Sequence, residues 1–137
     1  MKNISVLSIF VIFSVVLFWF ISCQKPTPVA ISPAQESQII DLREGDTYEL
    51  TATPVKKIIG WKEQDLIAYN GMLPWPTIRV QQGSTIKVLF RNNTDMPNTI
   101  HSHGVRMDNA SDGIPNVTQK PVAPGETFLY TLRFPDA

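Results

Sequence analysis

The sequence predicts an all-β sandwich, and two observations carry that prediction. Apolar and polar residues alternate over several short runs from Tyr48 onward, and glycines and prolines punctuate those runs at short intervals. Alternation of period two marks strands with one buried face. Several short strands with turn residues between them favour an antiparallel sandwich of two sheets. Helix is expected only as short turns.

The elements follow in order. Tyr48, Leu50 and Ala52 alternate with Glu49, Thr51 and Thr53, which reads as a half-buried strand. Pro54 has no N–H to give a ladder, so an edge or a bulge is expected there. Leu66-Ile67-Ala68-Tyr69 forms a second short strand, ended by Asn70-Gly71. The runs Thr77-Ile78-Arg79-Val80 and Thr85-Ile86-Lys87-Val88-Leu89-Phe90 flank the turn-rich Gln81-Gln82-Gly83-Ser84. Asn92-Asn93-Thr94-Asp95 closes the latter strand. A further strand is expected from Asn98 to Met107. The last strand, Thr127 to Phe134, sets Phe128, Tyr130, Leu132 and Phe134 on one face. Between these two, Asp108 to Glu126 is long for a hairpin loop and contains Gly113, Pro115, Pro121, Pro124 and Gly125. Long ordered loops are often functional; a proline-stiffened crossover between the sheets is the alternative. Trp61 and Trp75 are assigned to packing.

The N-terminus has a different character. Met1-Lys2-Asn3 is a short positive start, and Ile4 to Ile21 is almost entirely apolar. A charged start, an apolar core and a small residue at its end define a secretory signal, so residues 1–22 are expected to be a leader. Phe20-Ile21-Ser22-Cys23 further resembles a bacterial lipobox. That resemblance implies cleavage before Cys23, lipid on its thiol and a membrane-anchored protein facing the periplasm or cell surface. The alternative is an uncleaved anchor, because the apolar run approaches the ~18–20 residues that span a bilayer. Residues 23–40 hold Pro26, Pro28 and Pro33 among polar residues, and are expected to be a spacer. Residues 41–137 are left as one domain, which fits the length of the chain.

Composition excludes some classes. Lys plus Arg and Asp plus Glu both number 12, so no basic footprint points to nucleic acid. The single cysteine, Cys23, has no partner for a disulfide within one chain. Asn92-Asn93-Thr94, Asn109-Ala110-Ser111 and Asn116-Val117-Thr118 match glycosylation sequons; in a bacterial lipoprotein they carry no meaning.

The chemistry concentrates in His101-Ser102-His103-Gly104, which contains the only two histidines. On a strand, residues i and i+2 share a face. Their Cβ atoms then stand roughly 6.5–7 Å apart, twice the rise per residue. Both imidazoles would face one pocket, and neutral imidazole suits copper and zinc. An isolated His-x-His is also compatible with chance. Met72, Met96 and Met107 could offer soft contacts to Cu(I), but scattered methionines pack more often than they ligate.

The residues around the pair sharpen this reading. His101-Ser102-His103-Gly104 is followed by Asp112-Gly113-Ile114-Pro115-Asn116-Val117-Thr118-Gln119 and then by Pro121-Val122-Ala123-Pro124-Gly125-Glu126. Upstream stands Tyr69-Asn70-Gly71-Met72-Leu73-Pro74-Trp75-Pro76-Thr77-Ile78. In this order these motifs resemble the N-terminal, plastocyanin-like domain of multicopper oxidases of the laccase type, over about Tyr48 to Ala137. Ser102 stands where that family usually has Trp, and Trp75 where it often has Gly. The resemblance implies a cupredoxin-like Greek-key β-sandwich. It implies His101 as a ligand of the type 2 copper and His103 as a ligand of one type 3 copper, in a trinuclear cluster completed by residues outside this chain. Dioxygen and a reducing substrate, phenolic or a metal ion, would be the reactants. In the family a second His-x-His follows a segment like Phe134-Pro135-Asp136-Ala137, so the domain is expected to be incomplete at its C-terminus. A type 1 site needs a thiolate with two imidazoles, and Cys23 lies far from both histidines in sequence. Asp112 is a candidate proton or solvent-channel carboxylate, or only a cap for the Gly113 turn.

Two other readings remain open at this point. A copper-free scaffold or binding protein of the cell envelope would share the fold. A mononuclear zinc enzyme would need Asp108 or Asp112 as a third ligand.

Overall fold

A computed structural model of the protein describes residues 31–136. The expected leader, and Cys23 with the lipid expected on it, lie outside the described residues. Seven strands follow in chain order: β1 (Ser32–Pro33), β2 (Ile39–Asp41), β3 (Thr47–Ile59), β4 (Lys62–Tyr69), β5 (Thr77–Arg79), β6 (Thr85–Asn92) and β7 (Thr127–Arg133). One 3-10 turn, Asn109–Ser111, interrupts the long loop before β7. The all-β expectation therefore holds.

The main sheet is built around β3. One side of β3 pairs with β6 over Thr47 to Ala52 and with β1 at Val55 and Lys56. Its other side pairs with β4. β7 pairs with β6 and forms the sheet's edge. β2 and β5 make a small second sheet.

Burial follows the alternation in the sequence. Ile86, Val88, Phe90 and Asn92 point inward along β6, and Tyr130 and Leu132 do so along β7. Leu50 and Ala52 of β3 and Val122 of the loop complete the cluster. Leu42, Ile78 and Val80, around the second sheet, pack on the same cluster, so two layers enclose one core. Burying each large side chain of this kind contributes roughly 1.5–3 kcal/mol. Phe90 and Tyr130 lie with ring centroids 6.5 Å apart, and Phe128 packs 4.7 Å from Tyr130.

Several local expectations change. The pairings are not all antiparallel: β3–β6, β1–β3 and β2–β5 are parallel. Strands separated by long stretches of chain can meet in either direction, and local alternation does not say which. The two short strands expected near Tyr48 and Leu66 are the arms of one long hairpin, with Ile59 opposite Lys62 across Gly60-Trp61. Gly60 takes φ +66°, the left-handed value that a two-residue hairpin loop with glycine first requires. Pro54 causes no bulge against β4, where the register is continuous. It falls in the gap between the β6 and β1 pairings, where a missing donor costs nothing.

The expected spacer is docked from Ser32 onward. Gln35 N–H donates to the Gly71 carbonyl at 2.8 Å, Leu73 N–H to the Gln35 carbonyl at 2.9 Å and Thr77 N–H to the Gln38 carbonyl at 2.9 Å. Prolines exclude helix from this stretch, yet they leave enough N–H groups for edge pairing. Nor do the two tryptophans pack as expected. Trp61 is 98% exposed at the hairpin tip, and Trp75 is 59% exposed with one edge against Tyr69. Met72 and Met107, in contrast, are buried and half-buried packing residues.

Candidate metal centre

The histidines do not lie on a strand. The expected ladder from Asn98 to Met107 shrinks to one bridge, Asn98 to Val122, with bonds of 3.0 and 2.9 Å. A turn over Ser102–Val105, with Gly104 at φ +78°, ends any extended pairing. The backbone N–H of Ile100 goes instead to a side chain, the Tyr130 hydroxyl, at 2.9 Å.

The two rings nevertheless share one place. The His101 and His103 centroids are 5.9 Å apart, with planes at 88°. Both residues reach solvent, His101 with 37% of its side chain exposed. His101 Nδ1 is 2.6 Å from the Asp112 carbonyl oxygen. A carbonyl only accepts, so Nδ1 must carry the proton, and Nε2 of the neutral ring keeps a free lone pair. Metal-bound histidines commonly use this arrangement, one ring nitrogen donating to an oxygen and the other ligating. The Asp112 carboxylate also stands on the Nδ1 side, with Oδ1 at 3.4 Å. It therefore flanks the edge opposite the free nitrogen, which does not suit it as a third ligand to a metal on Nε2. Among the described residues no group of three or more His, Cys, Asp and Glu side chains is placed to hold an ion. The donor set fits a copper or zinc ion as part of a larger shell.

The loop from Asp108 to Glu126 is ordered around this pair. Ser111 is buried, and its Oγ accepts the Thr131 N–H at 3.1 Å, which pins the 3-10 turn to β7. The Ile114 carbonyl accepts from Val117 and Thr118, closing a tight turn at Asn116, φ +61°. Gly113 lies against the backbone of Ile100. The long loop is thus both a crossover and a support for the histidines. Sequence reading quoted Gly113 and Gln119 within motifs and placed Tyr130 in the core. It did not foresee that the Tyr130 hydroxyl reaches the histidine segment at Ile100 or that Ser111 Oγ reaches β7 at Thr131, because a hydroxyl's partner cannot be read from alternation.

Burial pushes the Tyr130 hydroxyl above the usual phenol range, while the Ile100 N–H and Gln119 pull it down. A raised value in the folded state means that the stability it confers is complete below about pH 10 and is lost as pH rises from there towards the folded value. Unfolding measured between pH 8 and 11.5 should show this loss in the native protein and a smaller one in Tyr130→Phe. The remainder belongs to Tyr69, which burial also raises. Identical alkaline profiles for the two proteins would remove Tyr130 from the account.

Comparison with known proteins agrees with this geometry. The family described as multicopper oxidase matches residues 40–137. The iron transport multicopper oxidase FET3 of Candida glabrata is 42% identical over 80 residues, covering 56% of this chain and 13% of the relative. Laccase-12 of Arabidopsis thaliana is 38% identical over 96 residues, covering 69% of this chain and 17% of the relative. Among solved structures, a multi-copper oxidase from Pseudomonas thermotolerans superposes with a TM-score of 0.64 at 37% identity, covering 72% of this chain and 24% of that one. This chain therefore spans under a fifth of the length of these two curated relatives. With the two-layered β core and the motif order around His101 and His103, these matches show that the chain belongs to the multicopper oxidase family, as a laccase-like cupredoxin domain.

Proposed function

We propose that this chain is the N-terminal copper-binding domain of an exported multicopper oxidase. The whole protein would couple one-electron oxidation of a phenolic or metal-ion substrate to reduction of dioxygen to water. One observation carries the reading: two imidazoles 5.9 Å apart, one of them held with its Nε2 free. His101 would ligate the type 2 copper and His103 one type 3 copper. Copper in such a cluster supplies the electron transfer to dioxygen. The chain's own part is to present two neutral nitrogens, keep His101 in one tautomer, and leave both rings open for ligands from elsewhere in the protein. Asp112 is the candidate carboxylate for moving protons near the site.

In this proposal residues 1–22 are the leader, Cys23 is the lipid-bearing mature N-terminus, and residues 23–40 lead into a domain over residues 41–137. Mass spectrometry of the membrane fraction checks the anchoring. A lipid mass on Cys23 supports it, and an intact Met1 or cleavage elsewhere defeats it.

The 137-residue chain alone is expected to bind copper weakly and to show no enzymatic oxygen uptake, since two imidazoles do not complete a cluster. The protein from the extended reading frame is expected to hold its copper and consume oxygen with a phenol or Fe(II) as reductant. Metal analysis and an oxygen electrode on both proteins test this. Turnover by the chain alone would overturn the incomplete-site argument, and a copper-free, inactive longer protein would favour a scaffold.

A further inference from the structure

We propose that Gly113 and Tyr130 form a clamp on Ile100 that sets His101 as an Nε2 ligand before any metal arrives. The inference rests on the reading of His101 as a copper ligand, and it assigns positioning roles to residues that touch no metal.

Both polar groups of Ile100 are held. Its N–H donates to the Tyr130 hydroxyl at 2.9 Å. Its carbonyl presses on Gly113: a Cβ at that position would lie 1.8 Å from the Ile100 oxygen, 2.6 Å from its carbon and 3.2 Å from the His101 nitrogen. These are backbone atoms, so no side-chain rotation relieves the overlap. Gly113 also has φ +73°, a left-handed conformation that glycine adopts without strain.

The clamp itself is rigid. Tyr130 is 1% exposed, wedged between the rings of Phe90 and Phe128. Ser111 ties the loop to Thr131, the neighbour of Tyr130, so both jaws move as one.

Tautomer selection follows. Asp112, whose carbonyl receives His101 Nδ1–H, is the residue before Gly113. The contact that fixes Ile100 against Gly113 thereby fixes the donor and acceptor of the ring's hydrogen bond against each other. A side chain at position 113 would force these two backbone segments apart and release the ring.

The test uses the metal-free protein labelled with 15N-histidine, with the His101 signals assigned by their absence in His101→Ala. The native protein is expected to show His101 with a protonated Nδ1 and an unprotonated Nε2. Gly113→Ala and Tyr130→Phe are each expected to give an average of both tautomers. Copper(II) affinity at the pair should fall about 10–100-fold in both, as for other residues that orient a ligating histidine. Val55→Ala, a buried truncation on β3 outside this contact set, should lower the melting temperature and leave tautomer and affinity unchanged. If Gly113→Ala does not fold, Tyr130→Phe, which removes one oxygen atom, decides alone. Mixed tautomers in the native protein, an unchanged tautomer in the folded variants, or the same change in Val55→Ala would each overturn the clamp. A native protein with the set tautomer but no affinity for copper would keep the clamp and defeat the copper reading.

Discussion

His101→Ala in the complete oxidase is expected to abolish oxygen uptake and to cut copper content at the cluster. Substitutions that only orient a ligating histidine cost about 10–100-fold in metal affinity, so loss of the ligand itself should cost more than about 100-fold. The His101 ring is the one whose Nε2 is left free by the Asp112 carbonyl, so no neighbour replaces it. His103, 5.9 Å away and serving a different ion in the proposed scheme, should not compensate. Its own variant, His103→Ala, is expected to impair assembly as well. Copper per protein, the paramagnetic signal of type 2 copper and oxygen consumption report the effect separately. Blue colour from a type 1 copper elsewhere in the protein should survive, which separates a local loss from misfolding. Full copper content and turnover in both variants would remove the pair from the site.

Asn92→Ala is expected to destabilise the domain by about 3 kcal/mol, from four side-chain hydrogen bonds at roughly 0.5–1.5 kcal/mol each. Asn92 is fully buried at the end of β6. Its Nδ2 donates to the Met96 and Val122 carbonyls, both at 2.8 Å. Its Oδ1 accepts from Thr94 N–H at 3.1 Å and Thr94 Oγ at 2.7 Å. Met96 precedes the histidine segment and Val122 follows it, so one amide joins both flanks of the site to the core sheet. Removal leaves the Thr94 N–H without its side-chain acceptor and opens a void. Asn92→Asp should be no milder, since a carboxylate cannot donate to the two carbonyls. Urea unfolding measures the loss, and a change under about 1 kcal/mol would contradict the network. The same geometry disposes of the sequon at Asn92: its amide is consumed inside the fold and is closed to a glycan.

The fold was legible where burial itself writes the pattern. Ile86, Val88 and Phe90 alternate because one face of β6 meets the core, and Phe128, Tyr130 and Leu132 do the same on β7. Asn70-Gly71 was legible as a turn because both residues take left-handed values, φ +51° and +75°. The hairpin tip was not. Lys56 to Glu63 is held by backbone pairing with little burial, so hydrophobic alternation fades while the strands continue.

The sequence by itself determined the chemistry of this protein: two imidazoles at close spacing, a single remote thiol, the ordered motifs that mark the family, and the alternation that makes it β. The tertiary structure alone decided that His101 and His103 leave the strand ladder, that Asp112 offers its carbonyl to Nδ1, and that Gly113 and Tyr130 grip Ile100. The physical reason is range. Alternation, turn preference and ligand type are properties of neighbours along the chain, whereas a tautomer is set by whichever oxygen the fold brings to 2.6 Å from a ring nitrogen.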